Sequence, residues 1–213
     1  MYNNQRNIKE LKPYIPAADI FRIYEKEAGC AFLDSSLVND LGRYSIIGRA
    51  PYLKLVKDGD AFTVNGKPET GKTFEDYMRE YLNTHEDKNE CPLPIVSGAI
   101  GYFSYDYGRE QMGVPTGEKD LVTIPEAVLT FYDCFIVEDC REKRTYLVTN
   151  GITGNAPELI RSMEKEIQEN VKFGKISVSE AEKKITDPVS HREKFKIQVH
   201  PNFEKEEYKQ AVD

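Results

Sequence analysis

The chain has 213 residues, 39% of them hydrophobic and 31% charged, which suits one large domain, or one domain and a piece of a second, with a real core. Its net charge is −7, from 36 acidic and 29 basic residues with no Lys/Arg-rich arm, and this excludes the basic footprint of a nucleic-acid binder. There is no run of about 18 apolar residues, and residues 1–6 lack the apolar core of a signal peptide, so the expectation is a cytoplasmic protein acting on small molecules, without a nucleic-acid or membrane partner.

Residues 16–28 read as a helix. Pro16 suits its first turn, Ile20, Ile23 and Tyr24 share one face, and Gly29 suits its stop. A strand over 30–35 follows, ending in Asp34-Ser35-Ser36. A polar loop holding Asn39, Asp40 and Gly42 leads to Arg43-Tyr44-Ser45, which opens a second apolar run. Residues 44–47 and 52–56 read as two strands separated by a bend. The Asp58-Gly59 and Asn65-Gly66 pairs bracket a return strand over 61–64, giving a meander.

Thr73 with Asp76 three residues on has a capping pattern for a helix over 73–83. Phe74, Tyr77, Met78, Tyr81 and Leu82 form its apolar stripe, to be packed on the sheet. After a polar loop, residues 95–109 alternate glycines and small residues with aromatics, a pattern for a strand that another backbone approaches closely. No phosphate-loop or dinucleotide fingerprint is present. Residues 111–126 read as an irregular loop. Residues 128–137 read as a strand buried on both faces, 138–144 as a solvated charged hairpin tip, and 145–149 as the return strand. A helix from Asn155 to about Val171 has Leu159, Ile160, Met163, Ile167 and Val171 as its buried stripe. Residues 195–199 could form an edge strand. Residues 200–213 look like the first turns of a helix that stops without a cap, so the sequence is expected to be the N-terminal part of something larger.

The four cysteines, Cys30, Cys91, Cys134 and Cys140, have no C-x-x-C spacing, and the three histidines, His85, His191 and His200, lie near none of them. Reduced structural thiols are expected, not a zinc site. Each histidine sits in a charged loop and is expected to be solvated. No nucleophile elbow accompanies them, and the carboxylate pairs fall on helix surfaces or hairpin tips. The candidate site is therefore the cluster of Asp34, Ser35, Ser36, Arg43, Tyr44 and Ser45 at two adjacent strand mouths, suited to the carboxylate or ammonium of a small zwitterion. The competing reading has Ser35 and Ser45 capping turns and Arg43 paired with Asp34 or Asp40 at the surface.

Three stretches together resemble one family. They are Phe32-Leu33-Asp34-Ser35 followed by residues 42–48 and Pro51; Gly98 to Asp106 with Gly108-Arg109; and Pro125-Glu126 leading into Tyr132-Asp133 and Ile136-Val137. They resemble the N-terminal region of component I of anthranilate synthase and of aminodeoxychorismate (para-aminobenzoate) synthase. The closing segment from Asn202 to Val212 resembles the first helix of that family's chorismate-binding domain. On this resemblance residues 1–198 form the N-terminal domain and 199–213 begin the next. The Leu-Asp-Ser form and the Tyr-Asp-x-Gly-Arg form are closer to the aminodeoxychorismate branch, whereas anthranilate synthases more often show Leu-Leu-Glu-Ser.

The resemblance implies a parent subunit that replaces the chorismate 4-hydroxyl with an amino group. Its ammonia comes from a glutamine amidotransferase partner. Its catalytic residues and Mg²⁺ carboxylates lie in the C-terminal domain, so this stretch is expected to be inactive by itself, with no catalytic residue or metal ligand. It also implies half of an L-tryptophan pocket, with Ser35, Arg43, Tyr44 and Ser45 at the matching positions. Leu41-Gly42 depart from the versions of that loop which contribute polar contacts. The alternatives are the anthranilate branch and a free-standing amino-acid-binding module. The expected fold is α+β, a mainly antiparallel sheet of meander plus hairpin with helices packed outside, as the N-terminal part of a larger α/β subunit.

Overall fold

A computed structural model describes residues 6–39, 41–87, 89–113, 124–174 and 209–210. By backbone contacts the chain divides into two units, Met1–Ser179 and Glu180–Asp213. Of the second, Lys209 and Gln210 are described, both helical. The expected strand over 195–199, the rest of the helix over 200–213 and most of the loop over 111–126 lie outside the described residues.

The elements in order are β1 (Asn7–Leu11), α1 (Ala17–Tyr24), β2 (Ala31–Leu33), β3 (Tyr44–Asp58), β4 (Ala61–Val64), β5 (Lys67–Pro68), α2 (Phe74–Thr84), β6 (Gly98–Phe103), α3 (Tyr105–Gln111), β7 (Ala127–Asp139), β8 (Arg144–Thr149) and α4 (Ala156–Lys172). The eight strands make one sheet in which every pairing is antiparallel. The expected α+β architecture is the observed one.

The spine of the sheet is the pair β3 and β7, in register from Tyr44 opposite Asp139 to Lys57 opposite Ala127. β2 and β4 flank β3 on its other edge, β8 and β6 flank β7, and β1 lies outside β8. The two strands expected over 44–56 are one strand of 15 residues. The expected bend survives as a register shift between Pro51 and Leu53, beside Ala50 at φ 52. Proline has no N–H for the ladder, so the sheet accommodates it as a bulge instead of ending there.

Both faces of the spine are covered. On one, α1 and α4 bury Ile20, Tyr24, Ile160, Met163 and Ile167 against Ile47, Ile136 and Leu147. Elsewhere Phe74 of α2 joins Leu53, Leu55, Phe62 and Phe131, while Phe135, Val137 and Val148 pack with Leu93 and Val96. The near-continuous burial of β7 follows from its apolar run. Thr73 Oγ1 accepts from the Asp76 amide at 3.1 Å and Asn155 Oδ1 from the Glu158 amide at 3.1 Å, so both helices start where their caps dictate. The α2 stripe thins at its end, where Leu82 is half exposed.

Three elements were not foreseen. β1 is a short strand of mostly polar composition, fixed by pairing with β8 and not by any pattern of its own. β5 is two residues long. α3 contains Gly108 and lacks an apolar stripe, and Ser104 Oγ caps it by accepting from the Tyr107 amide at 3.1 Å. α1 is shorter than expected because Pro16 stands outside the helix as its N-cap and the chain turns after Tyr24. No helix among the described residues is long and apolar enough to cross a membrane.

Candidate ligand site at the mouth of the central strands

The Asp34–Ser36 and Arg43–Ser45 segments do meet. β2 pairs with β3 through Leu33 opposite Ile46, so the residues just past this pairing face each other. The Ser35 amide donates to Ser45 Oγ at 2.9 Å, and Ser35 Oγ donates to the Tyr44 carbonyl at 2.7 Å. Ser45 Oγ also lies 3.2 Å from Asp34 Oδ1, to which it donates. The two serines thus tie the strand mouths together, and Ser45 holds the exposed Asp34 carboxylate in place. Ser45 is 1% exposed, so this hydroxyl is a buried linker.

The intervening loop is also fixed. Asn39 Oδ1 accepts from the Leu41 and Gly42 amides at 2.9 and 2.7 Å, the local closure that short amide side chains favour. A side chain at Gly42 would place its Cβ 2.4 Å from the Leu37 carbonyl oxygen, so glycine is required. β2 ends on an exposed Leu33, and the loop exposes Leu37, Val38 and Leu41.

Arg43 is not bonded to Asp34 among the described residues, and Asp40 lies outside them. The Arg43 Nε and Nη2 both donate to Asp139 Oδ2, at 3.0 and 2.6 Å. Asp139 Oδ1 accepts the Arg141 and Glu142 amides, each at 3.1 Å. Burial by itself would raise the Asp139 carboxyl, but the bonds from Arg43 and from the Glu142 and Arg141 amides outweigh it and hold the group below its usual range. The Arg43 guanidinium lies 5.0 Å from the Tyr44 ring centroid.

The expected solvated tip over 138–144 is therefore corrected for its first three residues, since Cys140 is buried as well. Glu138 and Asp139 are each 6% exposed and belong to β7. Glu138 sits opposite Ser45 and accepts the Ala17 amide at 2.7 Å and the Tyr14 phenol, so it anchors the start of α1. Burial first, then the Glu138 bond, pushes the Tyr14 phenol up. Cys140 Sγ lies 3.6 Å from Ser45 Oγ, and burial pushes its thiol up as well. These residues close the mouth from the β7 side. The signal for them was an apolar strand running without a turn residue straight into two acids.

Two other expectations change. His85 is not simply solvated, because its ring stacks on Tyr81 at 4.0 Å. Not every carboxylate is peripheral, since Asp133 is fully buried. Its oxygens accept from the Asn150, Ile152 and Thr153 amides at 3.1, 3.0 and 2.6 Å and from the Thr153 hydroxyl at 2.6 Å, fixing the turn that launches α4.

A family model described as chorismate binding enzyme matches residues 38–213. The anthranilate synthase alpha subunit 2, chloroplastic, of Arabidopsis thaliana is 31% identical over 122 residues, covering 52% of this chain and 20% of that protein. The anthranilate synthase component 1 of Acetivibrio thermocellus is 26% identical over 168 residues, covering 70% of this chain and 33% of that protein. A crystal structure of anthranilate synthase component I from Streptococcus pneumoniae TIGR4 superposes with a TM-score of 0.49 at 16% identity, covering 79% of this chain and 37% of that one. The chain thus spans between a fifth and a third of the length of these two curated relatives.

Proposed function

Because the chain belongs to the chorismate binding enzyme family, we propose that it is the N-terminal part of a component I subunit that aminates chorismate with ammonia from a glutamine amidotransferase, in the cytoplasm. The match over residues 38–213 carries this reading. We place the subunit in the aminodeoxychorismate branch on the Leu33-Asp34-Ser35 and Tyr105-Asp106-Tyr107-Gly108-Arg109 forms of its motifs. The anthranilate branch is the second reading, favoured by the names of the relatives. The division into residues 1–198 and a second domain beginning at 199 belongs to the same proposal.

The mouth at Ser35, Arg43, Tyr44 and Ser45 is proposed as half of an effector-type pocket for an amino acid such as L-tryptophan. Asp34, held by Ser45, suits the ligand's ammonium group, and the Tyr44 ring with Leu33 offers apolar surface. The exposed Leu37, Val38 and Leu41 add apolar surface beside the mouth; the further domain of this proposal begins at 199. The catalytic groups and the Mg²⁺ ligands are assigned to that further domain. Among the described residues no cluster of three His, Cys, Asp or Glu side chains is placed to hold a metal ion.

The test is complementation with the full reading frame. The proposal expects growth of a p-aminobenzoate auxotroph on medium lacking p-aminobenzoate. Rescue of an anthranilate auxotroph alone would move the protein to the second branch, and rescue of neither would overturn the proposal.

A further inference from the structure

A cavity of about 600 Å³ lies between the end of α2, the start of β6 and the middle of the spine, within the size range of small-molecule sites. It is built on Tyr52 of β3, eight residues along the strand from Tyr44, or roughly 25 Å at the usual strand rise. It is therefore separate from the mouth described above.

One wall is aromatic and braced. Tyr81 meets Phe131 edge-on at 4.8 Å, Tyr52 meets Phe131 at 6.4 Å, and the Tyr81 hydroxyl donates to the Tyr52 hydroxyl at 3.1 Å. His85 stacks on Tyr81 with its Nδ1 2.8 Å from the Tyr81 carbonyl oxygen. The facing wall is polar and equally fixed. Asn150 Nδ2 donates to the Val96 and Asp133 carbonyls, each at 3.0 Å. Ser97 Oγ donates to Asp87 Oδ2 at 2.9 Å, and Arg6 bonds both Asp87 and Asn150 Oδ1. Glu86 and Asp87 both line the cavity. Arg6 pairs with Asp87, which leaves Glu86 as the second acid among the described lining residues.

We propose that this cavity is a second small-molecule site, for a planar aromatic compound carrying a primary ammonium group. The ring would lie against Tyr52, Tyr81 and Phe131, where aromatic pairs gain beyond simple burial. The ammonium would face Glu86 and Asp87. An aromatic carboxylate, and chorismate itself as a dianion, meets the same two acids and is rejected. The inference needs no part of the chorismate reading, and its failure leaves that reading intact.

The test titrates the 213-residue chain with tyramine and, separately, with 3-(4-hydroxyphenyl)propionate, which keeps the ring and replaces the ammonium by a carboxylate. Calorimetry or amide chemical shifts give the affinities. Saturable tyramine binding is expected at about millimolar or tighter, with the acid at least about tenfold weaker. Glu86→Lys, which reverses a rim charge, and Thr84→Trp, which fills the cavity from the exposed helix end, are each expected to weaken tyramine about tenfold with an unchanged melting temperature. No saturable tyramine binding, equal binding of the two probes, or wild-type binding by both variants would overturn the proposal.

Discussion

Arg43 and Asp139 lock the two central strands together at their shared end: two guanidinium nitrogens, at 3.0 and 2.6 Å, converge on one carboxylate oxygen. The other oxygen closes the turn into β8. One side chain therefore pins both the candidate site and the hairpin beside it. Arg43 is partly exposed, so its ion pair is screened by solvent and is the smaller share of the effect. The two backbone amides are the larger share. Asp139→Ala is expected to cost about 1–3 kcal/mol in urea unfolding, with Arg43→Ala costing less.

The same pair predicts an acid limb. The folded Asp139 carboxyl sits below its unfolded value, so its contribution is fully present above the unfolded value and is lost as pH falls through the folded one. Below about pH 4 the wild type should lose stability more steeply than Asp139→Asn. Parallel curves of unfolding free energy against pH for the two proteins would contradict this.

Asp133 should be the most costly carboxylate to remove. Four donors converge on it in a fully buried position, and truncation leaves the Ile152 and Thr153 amides without their acceptor, while the Asn150 amide keeps the Asp133 backbone carbonyl. Asp133→Ala is expected to lower stability by about 3–5 kcal/mol in denaturant titration, with α4 the first element to lose amide protection in hydrogen exchange.

Much of this was legible in the sequence, for definable reasons. The cap at Thr73, the helix start at Asn155, the Asn65-Gly66 turn with φ values of 50 and 75, and the doubly buried β7 rest on local chemistry. So does the meeting of Ser35 with Tyr44 and Ser45, which needed only two adjacent strands. What escaped was non-local. β1 exists because β8 offers an edge. Arg43 chooses Asp139 because the antiparallel register sets Tyr44 opposite Asp139, which brings Arg43, 96 residues away in sequence, within reach of that carboxylate. Glu138 and Asp139 look like a solvated tip until β3 covers them. Sequence distance hides such partners, and charge alone misplaces them at the surface.

The thiols test the burial pattern independently. Burial first, then nearby acids, pushes Cys30 up to about 11 and Cys134 up to about 12. Both stay protonated at neutral pH, and the thiolate is the reactive form. Iodoacetamide at pH 7.5 is expected to leave both unmodified in the folded chain and to label them in urea, as read by peptide mass spectrometry. Their shifts also stabilise the fold up to the ordinary thiol range, with that contribution lost as pH rises through the folded values.

β6 carries a steric prediction. A side chain at Gly101 would place its Cβ 1.9 Å from the Val128 carbonyl oxygen and 2.9 Å from the Leu129 Cα. Both atoms are backbone, so rotamer changes cannot relieve the clash. Gly101→Ala is expected to destabilise by about 1–3 kcal/mol or more and to expose the β6–β7 ladder in hydrogen exchange.

The chorismate reading is tested most directly by where nitrogen enters the ring. The purified product of the full reading frame, given chorismate and ¹⁵N-ammonium, should yield a product whose ¹⁵N replaces the 4-hydroxyl, seen by mass spectrometry and nitrogen-coupled carbon NMR. Incorporation at another ring carbon, or recovery of unchanged chorismate, would contradict it.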